Sequence, residues 1–264
     1  MMNNLFLKTL FDKKWFTIGW ATAFAFMSLL VVIFYPSFNS SFQVDQLTAN
    51  FPSALKGLIG DAANLKNING YLAEQLFNIR IPLFILIMSI VLGLGLSITD
   101  EESGRLRTLV ATPIGRTKIL LQKQLAGCVI VCLVSLATII ATYIGLILIH
   151  EQIPNALIWE LFVLSCVFGS VTVGTVIAIG FASGSRGPTT AIAILITIGS
   201  FILSTFGIAV SWLKPYEKLS LLHYYDATGL VKGSLNLVHI LVLFGILFTS
   251  TVVAILMFRN RDIH

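Results

Sequence analysis

The chain has 264 residues, of which 56% are hydrophobic and only 11% charged, with a formal net charge of +5 and a mean hydropathy of +0.92. Soluble globular domains carry about a quarter charged residues, so this composition excludes a water-soluble enzyme or binding module and predicts a single all-α membrane domain over residues 1–264. The excess of cations reads as lysine and arginine held on one side of a membrane; no basic cluster is interleaved with aromatics, so nucleic acid is not an expected partner.

The predicted elements begin with residues 1–14. Leu5, Phe6, Leu7, Leu10 and Phe11 fall on one helical face, with Lys8, Asp12 and Lys13 on the other, the pattern of a helix lying in the membrane interface. A hydrocarbon core of about 30 Å needs about 20 mainly apolar helical residues. Six runs qualify: 15–35, 81–99, 125–149, 156–182, 189–212 and 237–258. The first ends in Tyr35-Pro36 and not in a small-residue cleavage site, so it reads as a retained span and not a signal peptide. Trp15, Tyr35, Trp159 and Trp212 fall near span ends, where amphipathic rings favour the headgroup layer.

With the N-terminus inside, eleven of the seventeen lysines and arginines are cytoplasmic, which predicts that both termini face the cytoplasm of a bacterial plasma membrane. The loops 36–80 and 213–236 then lie outside. The second mixes apolar and aromatic residues with charges, and is expected to dip into the outer leaflet around Leu221 and Leu222. Small residues recur at helical spacing as Ser170, Gly174, Ala178 and Ala182, and as Ser89 and Gly93, marking close helix contacts inside the bundle.

The segment 100–124 is the most charged stretch. Thr99 followed by Asp100, Glu101 and Glu102 has the form of a helix start, a hydroxyl cap before an acidic first turn. Leu106, Leu109 and Val110 recur at helical spacing, giving a short amphipathic helix, and Thr112-Pro113-Ile114-Gly115 turns the chain back to the membrane at Arg116. A loop that only fixed topology would need scattered lysines; this one has an apolar stripe that must pack on something.

These residues carry a resemblance. Glu101-Glu102, Gly104, Leu106, Leu109, Ala111-Thr112-Pro113, Arg116 and Lys123 resemble the cytoplasmic signature of the permease subunits of type 2 ABC exporters, with Arg105 standing where that family often has a small residue. The resemblance implies a coupling helix between the second and third spans that docks on a cytoplasmic ATPase. Glu101, Glu102, Gly104, Arg105, Leu106, Leu109, Pro113 and Arg116 would be its coupling residues. It also implies a pair of membrane subunits, identical or homologous, served by ATPase subunits that use ATP and magnesium.

No phosphate-cradling Gly-x-x-x-x-Gly-Lys-[Ser/Thr] occurs, and no Gly-Lys dipeptide, so ATP hydrolysis is expected in a partner and no enzyme activity in this chain. Ser183-Gly184 would suit an intramembrane serine protease, but His150, His223, His239 and His264 all fall at boundaries, loops or the terminus. Cys128 and Cys132 share a helix face without a His or carboxylate to complete a metal site, and read as packing residues. No cofactor or metal is expected in the chain itself. Glu160 is the only acid inside a proposed span, one turn from its outer end, and is the one candidate for a pathway residue; an ion-coupled secondary transporter would show more midplane charge. Spans this poor in polarity suit an amphipathic, drug-like, peptide or lipid-like cargo. Bulk export by an ABC permease is the leading reading, and a membrane subunit of an ABC-type regulatory or signalling complex is the alternative.

Overall fold

The computed structural model describes residues 5–41, 67–111, 114–206, 212–231, 233 and 236–261. Those residues are helical almost throughout, with no strand among them, and six helical stretches are long and apolar enough to cross a membrane. In a bilayer only segments that satisfy their own backbone can span, and the helix does so within each segment.

In chain order the helices are α1 (Leu5–Asp12), α2 (Lys14–Ser41), α3 (Ile68–Tyr71), α4 (Ile81–Leu96), α5 (Ile98–Glu102), α6 (Arg105–Val110), α7 (Arg116–Leu148), α8 (Asn155–Ser183), α9 (Arg186–Phe206), α10 (Ala227–Val231) and α11 (Leu237–Asn260). A π-helical stretch, Leu72–Arg80, joins α3 to α4. Helical structure therefore extends on both sides of the segment 36–80, beyond the purely apolar runs: α2 continues to Ser41, and polar residues such as Asn67 and Arg80 belong to a helical approach to α4. That approach is held by Tyr71, whose hydroxyl donates to the Val31 carbonyl (3.1 Å) and whose ring meets Tyr35 at 5.1 Å. The middle of the segment, 42–66, lies outside the described residues.

α8 is the central helix. It packs against α4, α7, α9 and α11, while α2 lies along α7, and α2, α9 and α11 turn most of their apolar surface outward. The close contacts follow from small residues. A Cβ on Gly93 would come 2.5 Å from Val176 of α8, and one on Gly174 would come 2.4 Å from Leu247 of α11. Such approaches let dispersion replace the hydrophobic driving force that helices lack in lipid. Two buried polar bridges add direction: Ser89 and Thr172 share a hydrogen bond of 2.8 Å, and Gln124 donates to the Gly174 carbonyl and the Thr251 hydroxyl, each at 3.0 Å.

α1 does not stand free of the bundle. It packs on α7, with Thr9 buried and Leu5 and Leu10 against the core, while Leu7 and Phe11 remain exposed. At the opposite end the segment 212–231 folds back on the helices. Ser220 donates to the Ser200 carbonyl (2.8 Å), Tyr225 shares a hydrogen bond with Ser165 (3.0 Å), and Leu221 is buried. Leu221 is thus turned into protein and away from lipid.

Candidate functional site

The polar segment after α4 is built around α5. Its three successive carboxylates, Asp100, Glu101 and Glu102, sit about 100° apart around the helix axis, so they point in three directions. Each meets a cation from a different part of the chain. Asp100 pairs with Lys123 of α7 and, at 3.3 Å, with Arg105 of α6. Glu101 pairs with Arg261, just past α11. Glu102 takes a two-pronged contact from Arg186 at the start of α9, with Nη2 at 2.6 Å from Oε2 and Nε at 3.0 Å from Oε1.

The innermost of these cations is Lys123, 1% exposed. Its ammonium also donates to the Leu96 carbonyl (2.7 Å) at the end of α4, so a group that would be very costly to bury alone is hydrogen-bonded and charge-balanced. Lys13, between α1 and α2, approaches the same region: its Nζ lies 2.9 Å from where a Cβ on Gly95 would stand. Burial pushes the Lys13 ammonium below the usual lysine range, and Asp100 counteracts that shift.

Two arginines close helix ends. Nη1 of Arg116, at the start of α7, reaches the carbonyls of Phe258 (2.9 Å) and Arg261 (2.6 Å), so that a cation faces the negative end of α11. Arg261 in turn donates to the Phe181 carbonyl (2.9 Å) near the end of α8. Its guanidinium fills the space a side chain would need at residue 184, and Gly184 has φ +67°, so both room and backbone demand glycine there. Through these contacts α5 is wired to α7, α8, α9 and α11.

Beyond α5, Gly104 at φ +71° reverses the chain into α6. The apolar stripe of α6 does not wait for a partner: Leu106 is wholly buried in the bundle's own core, with Leu109 and Val110 half-buried against it. The expectation that this stripe is the docking face is corrected by that burial. Arg105, Arg107 and Thr108 form the exposed side instead. A second correction concerns Thr99, which lies within α5 and not at its cap; its hydroxyl accepts from Arg186 (3.3 Å). Beside α6 an open cleft of about 850 Å³ is lined by Glu101, Glu102, Gly104, Arg107, Ser183 and Arg261, among others.

Of the residues predicted from sequence, Glu101, Glu102, Gly104, Arg105, Leu106, Leu109 and Arg116 all belong to this end of the bundle. Pro113 lies outside the described residues. Glu160 is remote from them, near the start of α8 at the opposite end, half-buried. Asp100, Arg186 and Arg261 were missed as site residues; the available signal was their rarity, since charged side chains adjoining spans in so apolar a chain need partners.

The described residues thus form a polytopic helical bundle with a polar hub at one end. Residues 13–263 match the family model described as ABC-2 family transporter protein, and the chain belongs to that family: it is an ABC-type permease subunit embedded in the membrane. No curated protein matches it.

Proposed function

We propose that this permease is the membrane-spanning half of an ATP-driven exporter and that the exposed side of α6, with the cleft beside it, is where a cytoplasmic ATPase docks. The observation that carries the reading is the placement of α5. Three consecutive carboxylates bind cations belonging to α6 and α7, to the segment after α11, and to α9. A push on α6 therefore reaches most of the bundle through charge-assisted bonds, without crossing a soft loop.

In this reading Leu106 and Leu109 anchor α6 to its own bundle, Gly104 sets its angle, and Arg105, Arg107 and Thr108 meet the partner. Both termini and the hub face the cytoplasm, in keeping with the excess of cations there. ATP and magnesium act in the partner. A second membrane subunit, identical or homologous, completes the path, and the cargo is amphipathic, drug-like, peptide or lipid-like, since the spans offer few groups to replace the hydration of a polar solute.

The test is co-purification of an ATPase subunit with the Arg107→Glu, Thr108→Asp double variant, both positions being exposed. Loss of the partner with an unchanged melting midpoint supports the reading; a complex that forms and hydrolyses ATP as the wild type does contradicts it. Acidic substitutions at Leu106 would break the core and could not serve.

A further inference from the structure

At the end of the bundle away from the hub, a cavity of about 280 Å³ opens between the π-helical stretch, the last turns of α9, the returning segment and the first turn of α11. The wider π-helical winding, a form that recurs at functional sites, brings Asn78 to its wall. The other polar groups facing it include Thr205, Glu217, His223, Asp226 and His239, while Phe201 and Leu222 supply apolar wall. Among the described residues that line it there is no lysine or arginine.

The carboxylate and amide oxygens of this cavity keep capacity to accept, beside hydroxyls and imidazoles that can do either. Glu217 engages the Nδ1 of His223 (3.3 Å) through Oε1, leaving Oε2 without a partner among the described residues. Asp226 uses Oδ1 for the Thr228 hydroxyl (3.0 Å) and the Gly229 amide (2.7 Å), leaving Oδ2 without a hydrogen bond among the described residues. Asn78 donates to Glu74 (3.3 Å) and keeps its carbonyl oxygen. Thr205, only 9% exposed, adds a hydroxyl-bearing side chain to the lining. Tyr225 adds no charge, since burial pushes its phenol above the ordinary tyrosine range.

Two carboxylates, with no fixed cation beside them among the described residues, would repel an anion. No group of three metal-ligating side chains is placed to hold a metal among the described residues. A donor-rich monocation attached to an apolar body meets both halves of the lining, its N–H groups on Glu217, Asp226, Asn78 and Thr205 and its body on Phe201 and Leu222. We infer that this cavity binds the cationic head of an amphipathic organic amine. It rests on the export reading only in treating that amine as cargo.

The experiment is a fluorescence titration of the full chain in nanodiscs of zwitterionic lipid, without any ATPase, using a dansyl-labelled alkylammonium and its neutral N-acetyl analogue. Saturable binding of the amine is expected, with the analogue about tenfold weaker or worse, as the loss of a charge-assisted bond implies. The Glu217→Gln, Asp226→Asn double variant keeps the Oδ1 acceptor that holds α10 and should weaken the amine about tenfold while leaving the analogue unchanged. Equal affinity of the two probes, wild-type affinity of the double variant, or tighter binding of a dansyl-labelled carboxylate overturns the assignment. Should that variant fail to fold, His239→Arg, which brings a fixed cation to the cavity wall, takes its place: weakened amine binding supports the site and unchanged binding overturns it. With no ATPase present, failure here leaves the docking reading standing, and failure of docking leaves this site standing.

Discussion

The two ends of the bundle handle charge in opposite ways. At the end where α5 meets the last turn of α11, Asp100, Glu101 and Glu102 each have a cation of their own, and the arginines spend further donors on the carbonyls of Phe181, Phe258 and Arg261. At the other end Glu217 and Asp226 share a cavity with two imidazoles and, among the described residues, no fixed cation, and several acceptors have no partner among those residues. A network whose bonds are all made internally is stiff and suited to passing on a displacement. A cavity with unmet acceptors is suited to receiving a ligand. The proposed docking of a partner at one end and binding of a ligand at the other rest on this contrast.

The largest effect that would break this contrast lies at the buried pair. Asp100→Ala leaves Lys123 in the core with only the Leu96 carbonyl, and is expected to destabilise the protein by about 3–5 kcal/mol, read from thermal unfolding in detergent. Next comes the packing that supports both ends. Gly93→Ala places a methyl against Val176 and should cost about 1–3 kcal/mol, whereas Gly199→Ala, in a position with open space, should cost nothing. Gly104→Ala is smaller still, about 1–2 kcal/mol for an alanine held at φ +71°, and it should impair partner docking by more than its effect on melting. Smallest is Glu102→Gln: the pair with Arg186 is half-exposed on both sides, so no resolvable change in melting is expected. A large loss there would mean the hub depends on its outer pair and not on the buried one.

The spans were legible because bilayer thickness fixes the length of an apolar run, and the count follows from that alone. The helical approach Leu72–Arg80 was not: Glu74, Gln75, Asn78 and Arg80 make it read as loop, and tertiary packing of Leu72, Leu76 and Phe77 overrides composition. The hub was only half legible. Sequence marks Glu101 and Glu102 as unusual, but Arg186 and Arg261 lie 84 and 160 residues away from the acids they bind, and nothing local reports such pairings. Leu106 shows the sharpest limit. Periodicity shows that a helix has an apolar face without showing what covers it, and here the bundle itself does.

The central claim is that the exposed side of α6 touches an ATPase while the far cavity does not. Cross-linking from Arg107→Cys and, separately, from Glu217→Cys in membranes containing the assembled transporter tests it most directly. A cross-link is expected from position 107 to a soluble subunit carrying a phosphate-binding loop, strengthened or weakened by ATP, and none from position 217. A cross-link from 217 to that subunit, or none from 107 in a complex that still hydrolyses ATP, would contradict it.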